Sequence, residues 1–175
     1  MKNKFVITGP PSSGKTTILN IIRQRGLKVL SDTSREILLK KEQCQVDISD
    51  IRFSDLIFER QLEKESSLDE KEICFLDMSL VECIVFRKLK QQSMDKLLNI
   101  EFKHRYDMVF LLSPLPFEKD GYRDTNDEQQ IYKIFELMKK IYVELGYKVY
   151  IIPELPVVQR LQIIIEHLRK EGVVI

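Results

Sequence analysis

The sequence has few of the residues from which metal centres and disulfide scaffolds are built. Its 175 residues include only three cysteines and two histidines. The cysteines, Cys44, Cys74 and Cys83, form no CxxC pair or other ligand spacing. His104 and His167 also lack partners at ligand spacing, so we assign them no chemistry. We expect the thiols to be reduced, as in cytosolic proteins, and two of them to be buried because they lie in apolar runs.

The sequence also has almost no net charge and no long apolar run. The 28 basic residues almost cancel the 27 acidic ones, which disfavours nucleic acid and anionic membranes as partners. No apolar run reaches the length of a membrane span, and the N-terminus enters a predicted strand without a signal-peptide pattern. We therefore expect a cytoplasmic protein that acts on small molecules and has no membrane partner.

Short apolar runs alternate with amphipathic segments along the chain. The pattern predicts strands at 4–8, 27–30, 73–77, 107–112 and 147–152, with helices between them. A helix is predicted over 80–104, with a break near 91–95 where Ser93 offers a new cap. Such alternation is typical of an α/β fold with a parallel sheet. The length suits one domain spanning residues 1–175.

The segment between the first strand and the first helix, GPPSSGKT, matches the phosphate-loop pattern GxxxxGK[ST] at every fixed position. Its glycines allow the backbone N–H groups to approach phosphates, and the helix dipole adds positive potential. Lys15 is expected to reach the β- and γ-phosphates, and Thr16 to bind Mg²⁺. A chance turn before a lysine is the alternative. The residues expected to bind the triphosphate are Gly9, Pro10, Pro11, Ser12, Ser13, Gly14, Lys15, Thr16 and Thr17.

Two aspartates follow predicted strands, where a doubly wound sheet binds its ligand. Asp32 follows the second strand and suits a general base or a hydroxyl-binding carboxylate, but it could equally cap the next helix. Asp77 ends the apolar run ICFL and suits the Walker B function of holding Mg²⁺ beside Thr16; a strand-end cap is the alternative. Ser79 could face the site or cap the following helix.

Three arginines are candidates for contacts with the reactants. Arg123 lies in a loop rich in proline and glycine at about 114–126, which could act as a lid and supply an arginine in cis to the transferring phosphoryl group. A solvated surface arginine is the alternative. Arg52 and Arg60 lie on a helix that follows the Asp32 loop and could reach a substrate pocket.

These motifs resemble a family of small P-loop proteins classed as AAA-type ATPase domains. That family is similar to the nicotinamide riboside kinase domain of bacterial NAD-biosynthesis proteins and, more distantly, to nucleoside and thymidylate kinases. The resemblance covers nearly the whole chain and rests on GPPSSGKTT, SDTSREIL, FLD and LLSPLPFEKDGYRD. The last segment looks like the family's DGxR lid, which favours Arg123 as a catalytic residue.

The resemblance implies a three-layer P-loop fold with a five-stranded parallel sheet in the order 2-3-1-4-5. It also implies ATP, with GTP as an alternative, and Mg²⁺, and it favours a kinase of a nucleoside or ribosylated base. Lys15, Asp32 and Arg123 are the expected catalytic residues. Two positions depart from the family: Asp32 stands where members usually carry glutamate, and Met78-Ser79 where many carry arginine or threonine-aspartate.

A second function remains open on the sequence. The chain could be an ATP- or GTP-hydrolysing regulatory module that acts on a protein partner, because the fold does not determine the function. The chain lacks the helical lid domain of AAA assemblies, so we expect a monomer or homodimer and no hexamer. A nucleic-acid-binding ATPase is disfavoured by the net charge.

Overall fold

A computed structural model describes residues 3–39, 47–103, 105–115 and 128–175. Five strands in this part of the chain form one parallel sheet in the order β2-β3-β1-β4-β5. The order agrees with the prediction of 2-3-1-4-5. The strands are β1 (Lys4–Thr8), β2 (Lys28–Leu30), β3 (Cys74–Leu76), β4 (Met108–Leu112) and β5 (Val149–Ile152).

Six α-helices of the described residues connect or flank these strands. They are α1 (Lys15–Gln24), α2 (Thr33–Leu39), α3 (Ile51–Ser66), α4 (Leu80–Leu89), α5 (Glu128–Glu144) and α6 (Val157–Lys170), with a 3₁₀ turn at Asp95–Leu97. Both faces of the sheet are covered, as parallel sheets require. None of the helices in the part of the chain that the structure describes is long and apolar enough to cross a membrane.

Alternating strand residues build two cores. On β4, Phe110 packs in the core formed with α1 and α6, whereas Val109 and Leu111 pack in the core formed with α3, α4 and α5. The period of two follows from the pleat, which sends neighbouring side chains to opposite faces. The three-layer α/β fold positions the carboxyl ends of all five strands along one edge, where the sequence places its functional motifs.

Within the helix predicted over residues 80–104, the break near 91–95 is confirmed, but the prediction of a helix after the break is wrong. The chain leaves α4 after Leu89 and passes through Gln91, whose φ of 54° lies outside the helical region. Arg87 donates to the Ser93 carbonyl (2.7 Å), and the Asp95 N–H donates to the Ser93 hydroxyl (3.1 Å), as predicted for a new cap. Only the short 3₁₀ turn follows, so tertiary contacts override the local helical pattern.

Candidate active site

The loop between β1 and α1 requires glycine at both ends. A Cβ added to Gly9, whose φ is +156°, would lie 2.7 Å from the Leu112 carbonyl oxygen, closer than real Cβ contacts. Gly14 has a φ of +79°, a conformation that costs most side chains free energy. Ser12 between them also has positive φ, at 61°. The loop therefore turns tightly against the end of β4 and brings its backbone to the surface of the site.

Two carbonyl oxygens of this loop accept hydrogen bonds from residues outside the loop. The Leu115 N–H donates to the Ser12 oxygen over 3.2 Å. The Arg160 guanidinium, which comes from α6, donates to the Ser13 oxygen over 2.7 Å. Because C=O and N–H point in opposite directions in a trans peptide, these bonds turn the following N–H groups towards the inside of the loop.

The N–H groups of residues 13–16 have no hydrogen-bond partner among the residues that the structure describes. They lie at the N-terminus of α1, where the helix dipole adds positive potential. Successive unpaired N–H groups of this kind bind anionic oxygens. The loop therefore has the chemistry of a phosphate cradle.

Lys15 folds back onto the loop that it belongs to. Its Nζ donates to the Gly9 carbonyl over 2.6 Å and to the Pro10 carbonyl over 3.3 Å. An ammonium group carries three donors on a flexible stem, so it can exchange a neutral carbonyl for a phosphate oxygen. The side chain is thus held at the mouth of the cradle, within reach of an anion bound there.

Thr16, Asp32 and Asp77 line one cavity of about 260 Å³. Asp77 follows β3, and its N–H donates to the Leu30 carbonyl over 2.9 Å. Burial raises the pKa of Asp77, and the Asp32 carboxylate adds to the rise, whereas the Lys15 ammonium opposes it. A hydroxyl and two carboxylates facing one space are hard oxygen ligands of the kind that Mg²⁺ prefers. No cluster of three or more metal-ligating side chains occurs among the described residues, but Mg²⁺ at such sites needs only one or two, with substrate phosphates completing the shell.

Asp32 caps α2 and still offers one oxygen to the cavity. Its Oδ1 accepts from the Ser34 N–H (2.8 Å), the Ser34 hydroxyl (2.6 Å) and the Arg35 N–H (3.2 Å). Its Oδ2 has no hydrogen-bond partner in the described ranges. The two alternatives that the sequence left open are therefore compatible, because the cap uses one oxygen and leaves the other available.

The described residues also enclose a second, apolar cavity of about 190 Å³. Ser34 and Met78, which are neighbours of Asp32 and Asp77 in the chain, lie in its wall. The Lys90 ammonium at this cavity donates to the Ile48 carbonyl over 2.6 Å. The lining residues are Ser34, Ile48, Ser54, Ile57, Met78, Cys83, Phe86 and Lys90.

A buried polar network under the loop was not predicted from the sequence. Glu82 is 2% exposed; it accepts hydrogen bonds from the Ser79 N–H, from the Tyr142 hydroxyl (3.0 Å) and from Thr8, the last residue of β1. Burial raises the pKa of Glu82 from 4.5 to about 7, although these bonds and the nearby Lys15 oppose the rise. Ser79 itself caps α4 and is fully buried, so of its two alternatives the structure has the cap.

A second network holds the loop after β3 in place. Gln61 donates to the Met78 carbonyl (2.7 Å) and to Glu65 (2.8 Å), while it accepts from the hydroxyl of Thr33 (2.5 Å). Glu65 also accepts from the Tyr106 hydroxyl at about 3 Å. Gln61 and Glu65 lie one helical turn apart on the buried face of α3, and that spacing was the signal available in the sequence.

The remaining predicted arginines fall outside the two cavities. Arg52 pairs with Asp50 at the start of α3, and Arg60 pairs with Glu63, both on exposed surface. Neither lines the cavity walls. Arg123 and the predicted lid, from residue 116 onward, lie outside the described residues, as do Cys44 and His104. Cys74 and Cys83 are buried free thiols, as predicted.

Among the solved structures that share this fold are thymidylate, shikimate and deoxyadenosine kinases. A NadR protein in complex with NR superposes with a TM-score of 0.74 at 20% identity, covering 99% of this chain and 53% of the other. The present chain thus spans about half the length of that protein. Deoxyadenosine kinase from M. mycoides has a TM-score of 0.64 at 18% identity, covering 96% and 99% of the two chains. Thymidylate kinase from Candida albicans has a TM-score of 0.62 at 15% identity, covering 98% and 92%.

Identities this low show the fold alone, and comparison with curated protein sequences finds no significant match. The family comparison is more informative, because a model described as AAA domain matches residues 4–160. That range contains the glycine loop, Asp32 and Asp77. The chain therefore belongs to this AAA domain family and has the P-loop fold of the small-molecule kinases.

Proposed function

We propose that the protein is an ATP-dependent kinase that phosphorylates a hydroxyl group of a small molecule, such as a nucleoside or ribosylated base. The observation that carries the proposal is the cavity that Thr16, the residue after Lys15 of the phosphate cradle, shares with Asp32 and Asp77. A triphosphate held by the loop would present its terminal phosphate to the same space as the Oδ2 of Asp32. A hydrolytic switch does not need a carboxylate of this kind beside an acceptor cavity.

The proposed roles follow from the chemistry of phosphoryl transfer, which depends on positioning and electrostatics. The N–H groups of the loop and Lys15 bind the triphosphate. Thr16 and Asp77 hold Mg²⁺, which neutralises phosphate charge when bound. Asp32 orients the acceptor hydroxyl and receives its proton. For Arg123, beyond the described residues, we propose the role that the family's DGxR motif implies.

The apolar cavity supports an acceptor with an uncharged or aromatic ring. Its walls contain the Phe86 ring and the side chains of Ile57 and Met78. A ring placed there would bring an attached sugar next to Ser34, whose hydroxyl donates to Asp32. This arrangement favours nucleoside-like acceptors, which carry such a ring.

The test is transfer of label from γ-labelled ATP or GTP, with Mg²⁺, to a pool of nucleosides, nucleotides and ribosylated pyridines. We expect one acceptor class to be labelled by the wild-type protein and by Lys140→Ala, a control at an exposed lysine on α5. Lys15→Ala should lose both labelling and triphosphate binding.

Asp32→Asn separates catalysis from folding. Asparagine caps helices about as well as aspartate, so α2 should be preserved. Loss of the general base should reduce kcat by about 10²-fold or more while ATP affinity is retained. Release of free phosphate without any labelled acceptor would overturn the kinase and favour a hydrolytic module that acts on a protein partner.

A further inference from the structure

Arg160 is a charged side chain enclosed by backbone. It is 1% exposed, and its two Nη atoms donate to the carbonyls of Ser13 (2.7 Å) and Ser113 (2.8 Å). Within the described ranges no carboxylate pairs with it, and Glu154 acts only through its more distant charge. A cation buried without a counter-ion costs several kcal/mol. A bound anion on the other side of the loop would reduce that cost.

The arginine determines the orientation of one peptide group of the phosphate cradle. The Ser13 carbonyl and the Gly14 N–H belong to the same trans peptide, so they point in opposite directions. Since the carbonyl faces Arg160, the N–H faces the interior of the loop, where it has no partner among the described residues. A hydrogen bond from a charged donor is stronger than a neutral one and polarises the peptide, which makes this N–H a better donor.

The same guanidinium holds the segment that supports the neighbouring peptide. Ser113 follows β4, and two residues later the Leu115 N–H donates to the Ser12 carbonyl over 3.2 Å. Gly14 leaves room for this arrangement, because a Cβ there would lie 3.3 Å from the Nη1 of Arg160. Arg160 therefore orients the Ser13–Gly14 peptide directly. It supports the preceding peptide through the segment that carries Ser113 and Leu115.

We propose that Arg160 is a positioning residue of the phosphate cradle: it orients the Ser13–Gly14 peptide towards the nucleotide phosphates and adds its positive charge behind them. The inference rests on the nucleotide site of the proposed function. It does not depend on phosphoryl transfer, so it can be tested without an acceptor.

The experiment compares two buried arginines that both donate to a backbone carbonyl. Arg87 is also 1% exposed, donates to a backbone carbonyl, that of Ser93, and has an unpartnered Nε like that of Arg160. It lies on α4 and pairs with Asp55, away from the cradle. Arg160→Met and Arg87→Met remove the same atoms. Arg160→Lys keeps the positive charge but loses the planar guanidinium with its two parallel N–H donors. Affinities for MgATP and for inorganic tripolyphosphate are measured by calorimetry at a temperature where circular dichroism shows each variant to be folded.

We expect Arg160→Met to weaken binding of MgATP and of tripolyphosphate by at least tenfold. Arg87→Met should leave both affinities within twofold of the wild type, whatever it does to thermal stability. Arg160→Lys should lie between wild type and Arg160→Met. Unchanged affinity in a folded Arg160→Met, or an equal loss in Arg87→Met, overturns the inference but leaves the kinase proposal intact. Wild-type protein that binds neither probe would refute the proposed function and this inference together.

A measurement on the wild-type protein covers the case in which Arg160→Met does not fold. In protein with labelled arginine, the side-chain resonances of Arg160 should shift when tripolyphosphate is added, because the polarised peptide lies between the guanidinium and the anion. Those of Arg87 should not shift. If neither arginine responds while binding occurs, or if Arg87 responds as strongly, Arg160 does not act on the phosphates.

Discussion

Glu82 is expected to make the stability of the protein depend on pH in the neutral range. The carboxyl is almost fully buried between Thr8, Ser79 and Tyr142, and its pKa rises from 4.5 to about 7 because burial disfavours its charged form. One pKa unit corresponds to about 1.4 kcal/mol, so the whole change corresponds to about 3 kcal/mol. Between pH 4.5 and about 7, the native state therefore holds a proton that the unfolded state has released. Stability contributed by this group falls as pH rises through that window.

Glu82→Gln should remove this dependence, because the amide is neutral at every pH. Its oxygen can accept from the Ser79 N–H, and its NH₂ group can donate to the hydroxyls of Thr8 and Tyr142. The free energy of unfolding, measured by urea denaturation at pH 5, 6, 7 and 8, should fall by about 2.5 kcal/mol more in the wild type than in the variant. Other buried acids, such as Glu65, whose pKa burial also raises, are present in both proteins and cancel in the difference. Parallel pH profiles would refute the reasoning, since they would mean that Glu82 is not buried as a neutral acid.

Two further substitutions test the loop and the second network. Gly9→Ala places a Cβ 2.7 Å from a backbone carbonyl and should abolish MgATP binding in calorimetry. Gly26→Ala, where φ is also positive (+82°) but the space is open, should cost about 1 kcal/mol in urea and leave binding unchanged. Normal binding by Gly9→Ala would show that the loop tolerates another path. Tyr106→Phe removes a hydroxyl bonded to Glu65 and should lower the free energy of unfolding by about 1–3 kcal/mol. Tyr132→Phe, at a half-exposed ring, should have no effect, and equal stability of the two variants would contradict the network.

Local patterns were sufficient for the fold and for the centre of the site. Apolar runs followed by turn residues located all five strands within one or two residues. The signal was clearest for the central strands β1, β3 and β4, because a parallel strand buried on both faces must be largely apolar. The glycine loop could be found because its backbone conformation restricts residue type at Gly9 and Gly14. Asp77 could be found because it directly follows β3. The resemblance to P-loop proteins added the strand order.

The patterns failed where a distant residue determines the local structure. The sequence looks helical as far as residue 104 apart from the break near 91–95. The chain after Leu89 is instead held by a hydrogen bond between Arg87 and the Ser93 carbonyl and by hydrogen bonds from Lys90 and Gln92 to the Ile48 and Ser49 carbonyls, which precede α3. The Lys90 and Gln92 contacts join residues 42 and 43 positions apart in the chain, and a window of neighbouring residues does not contain them.

The amino-acid sequence by itself determined that a phosphate loop follows the first strand of a parallel α/β sheet and that two aspartates follow neighbouring strands. Only the tertiary structure decided what surrounds them: Glu82 beneath Thr8, and Arg160 behind Ser13, 147 positions away in the chain. The reason is physical. A phosphate loop is specified by the backbone conformation of a few consecutive residues, whereas the burial of a charge depends on which helices the folded sheet brings against it.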